Sequence, residues 1–125
     1  MSNEIMTANN SEYICTIAAD SFEGAKSIAN AINASNSLAD YGDKIFTVVD
    51  IMTMPGVRAK TGEPCTQTYF ILSDGTSLFT QADGIARSVK ALIKIIGPWI
   101  HEGVDMRVKS TPTRNGNTVK TVELV

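Results

Sequence analysis

Apolar and polar residues follow two periods along this chain. Residues 44–54 (KIFTVVDIMTM), 66–72 (TQTYFIL) and 77–80 (SLFT) are rich in β-branched and aromatic residues and predict three consecutive strands. A polar loop at 55–65 joins the first two, and Ser73-Asp74-Gly75-Thr76 makes a tight turn into the third. Two stretches carry a helical period instead. In 22–34, Phe22, Ala25, Ile28, Ala29 and Ile32 share a face; these small residues predict close packing on a sheet. Asp20 or Ser21 can cap that helix, and Asp20-x-x-Glu23 resembles a capping box. In 84–96, Ile85, Val89, Leu92, Ile93 and Ile96 form a stripe, with Arg87, Lys90 and Lys94 opposite and Asp83 as the expected cap. Gly97 as a left-handed cap and Pro98 as a breaker end it. Residues 13–18 (YICTIA) predict a short strand before the first helix. After the second, 105–110 alternates, 111–117 (TPTRNGN) reverses the chain, and 118–125 closes it as a strand.

From residue 44 the order is therefore strand, strand, strand, helix, strand, strand. The expected fold is mainly β (α+β): an OB-fold-like five-stranded barrel with a helix between strands 3 and 4. An N-terminal strand-helix addition packs at one end. The 125 residues suit a single domain, 1–125, with 1–11 flexible, 12–43 the addition and 44–125 the barrel.

Composition narrows the function classes. Hydrophobic content of 43% and charged content of 19% are ordinary for a globular chain, and no apolar run approaches the roughly 18 residues that span a bilayer. The opening MSNEIMTANNSEY has neither the basic flank nor the apolar core of a secretory signal, so the expected location is cytoplasmic, with no membrane partner. Cys15 and Cys65 match no zinc or redox spacing; one core thiol and one loop thiol are expected, and His101 has no partner in a metal pattern. The net charge of −2 is unevenly spread. Residues 1–50 hold seven acids against two bases, and residues 51–125 six acids against nine bases. Such a split supports a polyanion-facing second half.

The chemistry on offer is binding. There is no nucleophile elbow, no P-loop, no paired His motif, and the glycines read as turn residues, so neither an enzyme nor a small-molecule cofactor is expected. An OB barrel binds ligands over its second and third strands and the loops beside them. Here those loops carry Arg58 and Lys60 in the first and Arg114 in the second, with Lys109 before it, Lys120 after it and Arg107 on the preceding strand. Alternation puts Phe70, Leu72 and Leu78 inside the barrel and Tyr69 and Phe79 outside, where paired rings can stack bases. The candidate DNA-binding set is Arg58, Lys60, Tyr69, Phe79, Arg107, Lys109, Arg114 and Lys120. The first helix could instead lie across the two rings. A protein-interaction module on the same fold, without nucleic-acid binding, is the alternative, and an exposed Val57 would favour it.

Three stretches carry a resemblance: Phe22-Glu23-Gly24-Ala25-Lys26-Ser27-Ile28 with its Asn/Ala-rich helix end; the run from Ile71 through Ser73-Asp74-Gly75-Thr76 to Phe79, followed by 86–93; and Met106-Arg107-Val108-Lys109 with the Asn115-Gly116-Asn117 turn and final strand. With them, the chain resembles the small single-stranded-DNA-binding proteins of short-tailed bacteriophages that replicate by protein priming. The resemblance implies non-sequence-specific, stoichiometric coating of single-stranded DNA during phage DNA replication, in the host cytoplasm. A homo-oligomer is compatible with it.

Overall fold

The computed structural model describes residues 13–125; the expectation of a flexible 1–11 lies outside the described residues. The elements are α1 (Phe22–Asn33), β1 (Asn36–Ser37), a 3₁₀ turn (Leu38–Tyr41), β2 (Phe46–Val57), β3 (Pro64–Leu72), β4 (Ser77–Thr80), α2 (Asp83–Ile96), a second 3₁₀ turn (Gly97–Glu102), β5 (Val104–Pro112) and β6 (Thr118–Leu124). The strands form one sheet in the order β1-β4-β3-β2-β5-β6, with β1 parallel to β4 and every other pair antiparallel. The architecture is mainly β, a curled half-barrel consistent with an OB-like barrel.

It departs from the expected five-stranded barrel in strand count and closure. Asn36 and Ser37, which none of the expected strands includes, pair with Leu78 and Phe79 and occupy the outer edge of β4. The far edge, β6, meets α2 rather than β4. There Ser88 Oγ donates to the Val122 carbonyl (3.1 Å) and accepts from the Val122 amide (3.0 Å), satisfying both backbone groups of an edge residue. Gly84 lets the helix come this near: a Cβ at that position would lie 2.4 Å from the Lys120 carbonyl oxygen.

A bulge in β2 governs which side chains point where. The register with β3 slips between Val48 and Asp50, so Val48 faces Leu72 and Asp50 faces Ile71. Inward positions are even before the slip (Phe46, Val48) and odd after it (Ile51, Thr53). The same bend changes the partner on β2's other edge. Residues 46–48 pair with β5, and beyond the bulge the described residues form an isolated bridge, between Cys15 and Met52. The strand expected at 13–18 reduces to this bridge, held by Thr16 N–H to the Ile51 carbonyl and Thr53 N–H to the Ile14 carbonyl.

Asp50 explains how the segment stays attached. It is only 8% exposed, accepts from Thr16 Oγ1 (2.7 Å) and lies 2.8 Å from His101 Nε2. That nitrogen also faces the Thr16 carbonyl at 2.9 Å; this bond, and next the Asp50 carboxylate, raise the His101 pKa above its ordinary value.

The core is a single cluster that includes Phe46, Val48, Ile51, Phe70, Leu72, Leu78, Ile85, Val89, Ile100, Met106 and Val122. α2 supplies it through Ile85, Val89 and Ile96, much as the stripe predicts, with Leu92 and Ile93 half-buried. α1 does not behave as expected. Ser21 caps it by accepting from Gly24 N–H (3.1 Å), but none of its residues is buried and Phe22 is 78% exposed. Three local features differ as well. The N-cap of α2 is Ala82, whose methyl offers no cap acceptor, and Asp83, the first helical residue, pairs its carboxylate with Arg58. Gly97 is right-handed and the chain continues as a 3₁₀ turn that takes Pro98 in its first turn; the left-handed residue is Gly103 (φ 91°). Neither thiol is core, since Cys15 is exposed and Cys65 half-buried, and both are free. Among the described residues no helix is long and apolar enough to cross a membrane.

Candidate nucleic-acid interface

The outward face of β2–β4 is built in rows. Past the bulge, Asp50, Ile71 and Ser77 lie side by side; the next row is Met52, Tyr69 and Phe79; the next is Met54, Gln67 and Gln81. α1 closes the first row. Ser77 Oγ donates to the Ala31 carbonyl (2.6 Å) and pairs with Ser35 Oγ (2.5 Å), so Ser77 and Ile71 are buried although they face outward. The helix ends its cover there. Tyr69 and Phe79, Cα partners on adjacent strands, remain half-exposed with ring centroids 5.1 Å apart and planes tilted by 40°. Met52 continues the row as a half-buried thioether.

Amides fix the far side of this row. Gln67 Nε2 donates to Tyr69 Oη (3.3 Å), and Gln81 Nε2 donates to Gln67 Oε1 (2.9 Å) and to the Val57 carbonyl (3.2 Å). Gln67 can lie flat because Gly56 sits beneath it: a Cβ there would meet the Gln67 side chain at 2.3 Å. The result is an apolar, aromatic strip bounded by a helix on one side and an ordered amide chain on the other. Such a strip offers flat rings to flat ligands.

Basic residues stand at the tips of both long hairpins. The β2–β3 ladder runs to Val57↔Pro64, so the connecting loop is 58–63, shorter than the expected 55–65. It is tied by Arg58 N–H to the Glu63 carbonyl (2.9 Å) and Gly62 N–H to the Arg58 carbonyl (2.8 Å). Arg58 is half-buried and its guanidinium lies 3.0 Å from Asp83; Lys60 is exposed. Arg114 is exposed in the β5–β6 turn, which is closed by Thr113 N–H to the Asn117 carbonyl (2.8 Å). Arg107, on β5, gives two hydrogen bonds to Glu123 Oε2 across the ladder (2.8 and 2.5 Å).

A family model described as phage single-stranded DNA-binding protein, of the phi29 type, matches residues 7–125. The chain belongs to this family. No curated protein and no solved structure matches. Membership gives single-stranded DNA as the ligand and favours that reading over the interaction-module alternative, even though Val57 is exposed.

In this phage DNA-binding protein the candidate residues do not form one cluster. Tyr69 and Phe79 meet on the outer face, and Arg58, Lys60 and Arg114 occupy hairpin tips. Arg107, Lys109 and Lys120 line a different feature, a cleft of about 880 Å³ between the β1–β4 edge and the β5–β6 ribbon. Met52, Gln67 and Gln81 escaped the sequence reading. Met52 could be placed beside Tyr69 only once the bulge had shifted the phase of β2. The glutamine pair had a faint signal, since Gln67 shares a strand face with Tyr69.

Proposed function

We propose that the protein coats single-stranded DNA without sequence preference during phage DNA replication, holding bases on the outer face of β2–β4. The observation that carries this reading is the Tyr69–Phe79 pair, left half-exposed where α1 stops. Bases stack on the two rings and on Met52, while Arg58 and Lys60 at one hairpin tip and Arg114 at the other take phosphates. Stacking tolerates any base because every base has a π-face, which accounts for binding without sequence readout. The protein acts by occupancy and performs no catalysis. Its 1–125 span works as one domain in which the N-terminal helix limits the binding face.

The test is titration of the protein with oligo-dT while following tyrosine fluorescence, in parallel with a gel shift against a duplex of the same length. Quenching that saturates, with weaker duplex binding at matched salt, is expected. Equal affinity for duplex and single strand would remove stacking as the basis of recognition.

A further inference from the structure

Closing this sheet into a barrel would require β4 to pair with β6, and neither edge is free to do so. β1 takes the β4 edge at Leu78 and Phe79, and α2 takes the β6 edge through Ser88. The seam left between them is the cleft of about 880 Å³, within the roughly 300–1,000 Å³ of clefts that hold small ligands. Its floor is apolar, with Ala82 and Val108 half-buried above the core residues Leu38 and Ile85. Its rim is charged. Arg107 and Glu123 neutralise one another there. Lys109 and Lys120 have no ion-pair partner among the described residues; Lys120 pairs with Ser110 and so shares a ribbon face with Val108, while Lys109 flanks the cleft from the other face, with Asp43 the remaining acid of the lining.

An apolar floor beneath two unpaired ammonium groups matches the chemistry of a nucleotide, which has a flat base to bury and a phosphate to neutralise. The cleft and the outer face lie on opposite sides of the same β4 edge. Phe79 belongs to the aromatic strip, and Thr80, the next residue, lines the cleft. β1 pairs no further than Phe79, so the β4 edge is open at Thr80 and a strand can cross there.

We propose that the open seam is a second contact site for the same single strand of DNA. It takes an unstacked base onto Val108 and Ala82, with Lys109 and Lys120 holding the adjacent phosphates. This rests on the reading that the chain binds single-stranded DNA, but not on the aromatic strip being the place.

The experiment is an amide NMR titration of the ¹⁵N-labelled full chain with an oligo-dT of about 12 nucleotides, inside the range of 4–16 that one such fold covers. Shifts at Ala39, Gly42, Ser110 and Lys120 together with those at Met52, Tyr69 and Phe79 are expected. Shifts confined to the strip overturn the seam and leave the strip standing. Shifts confined to the seam support it and overturn the strip, and no shift at either overturns both. A Lys109→Gln/Lys120→Gln variant gives a second readout. Its log–log salt slope falls by about 1.4, at about 0.7 for each single-strand phosphate that is no longer neutralised, while tyrosine quenching at saturation is retained. An unchanged slope overturns the proposal.

Discussion

Replacing Phe79 with leucine isolates the stacking contribution. Phe79 is half-buried against Tyr69, with centroids 5.1 Å apart, and its outer side is open. Leucine keeps an apolar group against the Tyr69 ring and removes the flat π-face. A stacked base is worth about 1–3 kcal/mol by truncation, and a ring already half-covered sits at the lower end. A loss of about 1–2 kcal/mol is expected, which weakens binding of oligo-dT about 5- to 30-fold. Phe79→Leu removes no phosphate-binding group, so the slope of log affinity against log salt stays unchanged. Lys60→Ala does the reverse, lowering the slope by about 0.7 and leaving quenching intact. The Tyr69→Leu/Phe79→Leu double variant is expected to lose less than the sum of the single losses, because rings this close serve one base. The assay is fluorescence titration at several salt concentrations, with thermal midpoints recorded to separate folding from binding. Wild-type affinity in Phe79→Leu and Tyr69→Leu alike would refute the stacking argument, and a changed slope would show that the rings act through charge.

Three further outcomes follow from packing and titration. Gly84→Ala drives a methyl to 2.4 Å from the Lys120 carbonyl, and is expected to cost about 1–3 kcal/mol of stability as overpacking does, read by denaturant unfolding. Thr68 is fully buried and its Oγ1 has no partner among the described residues, so Thr68→Val is expected to raise the thermal midpoint, since an unsatisfied buried hydroxyl costs about 1–3 kcal/mol; a fall would mean the hydroxyl has a partner. His101 has a raised folded-state pKa against an ordinary 6.5. Its stabilising contribution is therefore fully present below that ordinary value and is lost as pH rises through the folded-state pKa. The advantage of wild type over His101→Gln should hold steady below pH about 6.5 and shrink as pH rises above it, with the Thr16 and Thr53 amides exchanging faster first; a gap independent of pH would count against the Asp50–His101–Thr16 link.

Much of the sheet was legible because local signals agreed with one another. The turn at Ser73–Thr76 needs Gly75 at φ 89° and an Asp74 side chain that accepts from the Thr76 amide and hydroxyl, and both residues announce it. The outward placement of Tyr69 and Phe79 follows from simple alternation on β3 and β4, strands with no irregularity in their pairing. β2 was less readable. A one-residue bulge inverts the alternation at Asp50, and nothing in Val48-Val49-Asp50 marks it. Asp50 therefore carries no sequence signal of its place as the buried acceptor for Thr16 and His101. Long-range occupancy was illegible for a different reason. Whether α2 or β4 lies against β6 depends on Gly84 meeting Lys120 and Ser88 meeting Val122, segments over thirty residues apart whose meeting leaves no periodic trace. The weak burial of α1 belongs here too, since its stripe was real but the sheet beneath it offers only Ile71 and Ser77.

The pairing of Arg58 and Arg107 bears on how the protein tells single strands from duplexes. Arg58 faces Asp83, Arg107 faces Glu123, and the whole chain carries −2. A duplex presents dense phosphate but no free base face, so it can be held only by charge. A single strand adds stacking on Tyr69 and Phe79, which charge pairing does not touch. Neutralised arginines therefore weaken the shared electrostatic term and leave selectivity to the rings. Asp83→Asn and Glu123→Gln should then raise affinity for both ligands, and proportionally more for duplex, because charge is all that duplex binding has. Both pairs are substantially exposed, where an ion pair is worth about 0–1 kcal/mol to folding, so the double variant should unfold near the wild-type midpoint. Competition between oligo-dT and a duplex of equal length, run at two salt concentrations, measures the ratio. The single-strand preference of the double variant is expected to narrow, most clearly at low salt where screening is least. A preference that holds or widens would place the discrimination in the basic residues rather than in the aromatic strip.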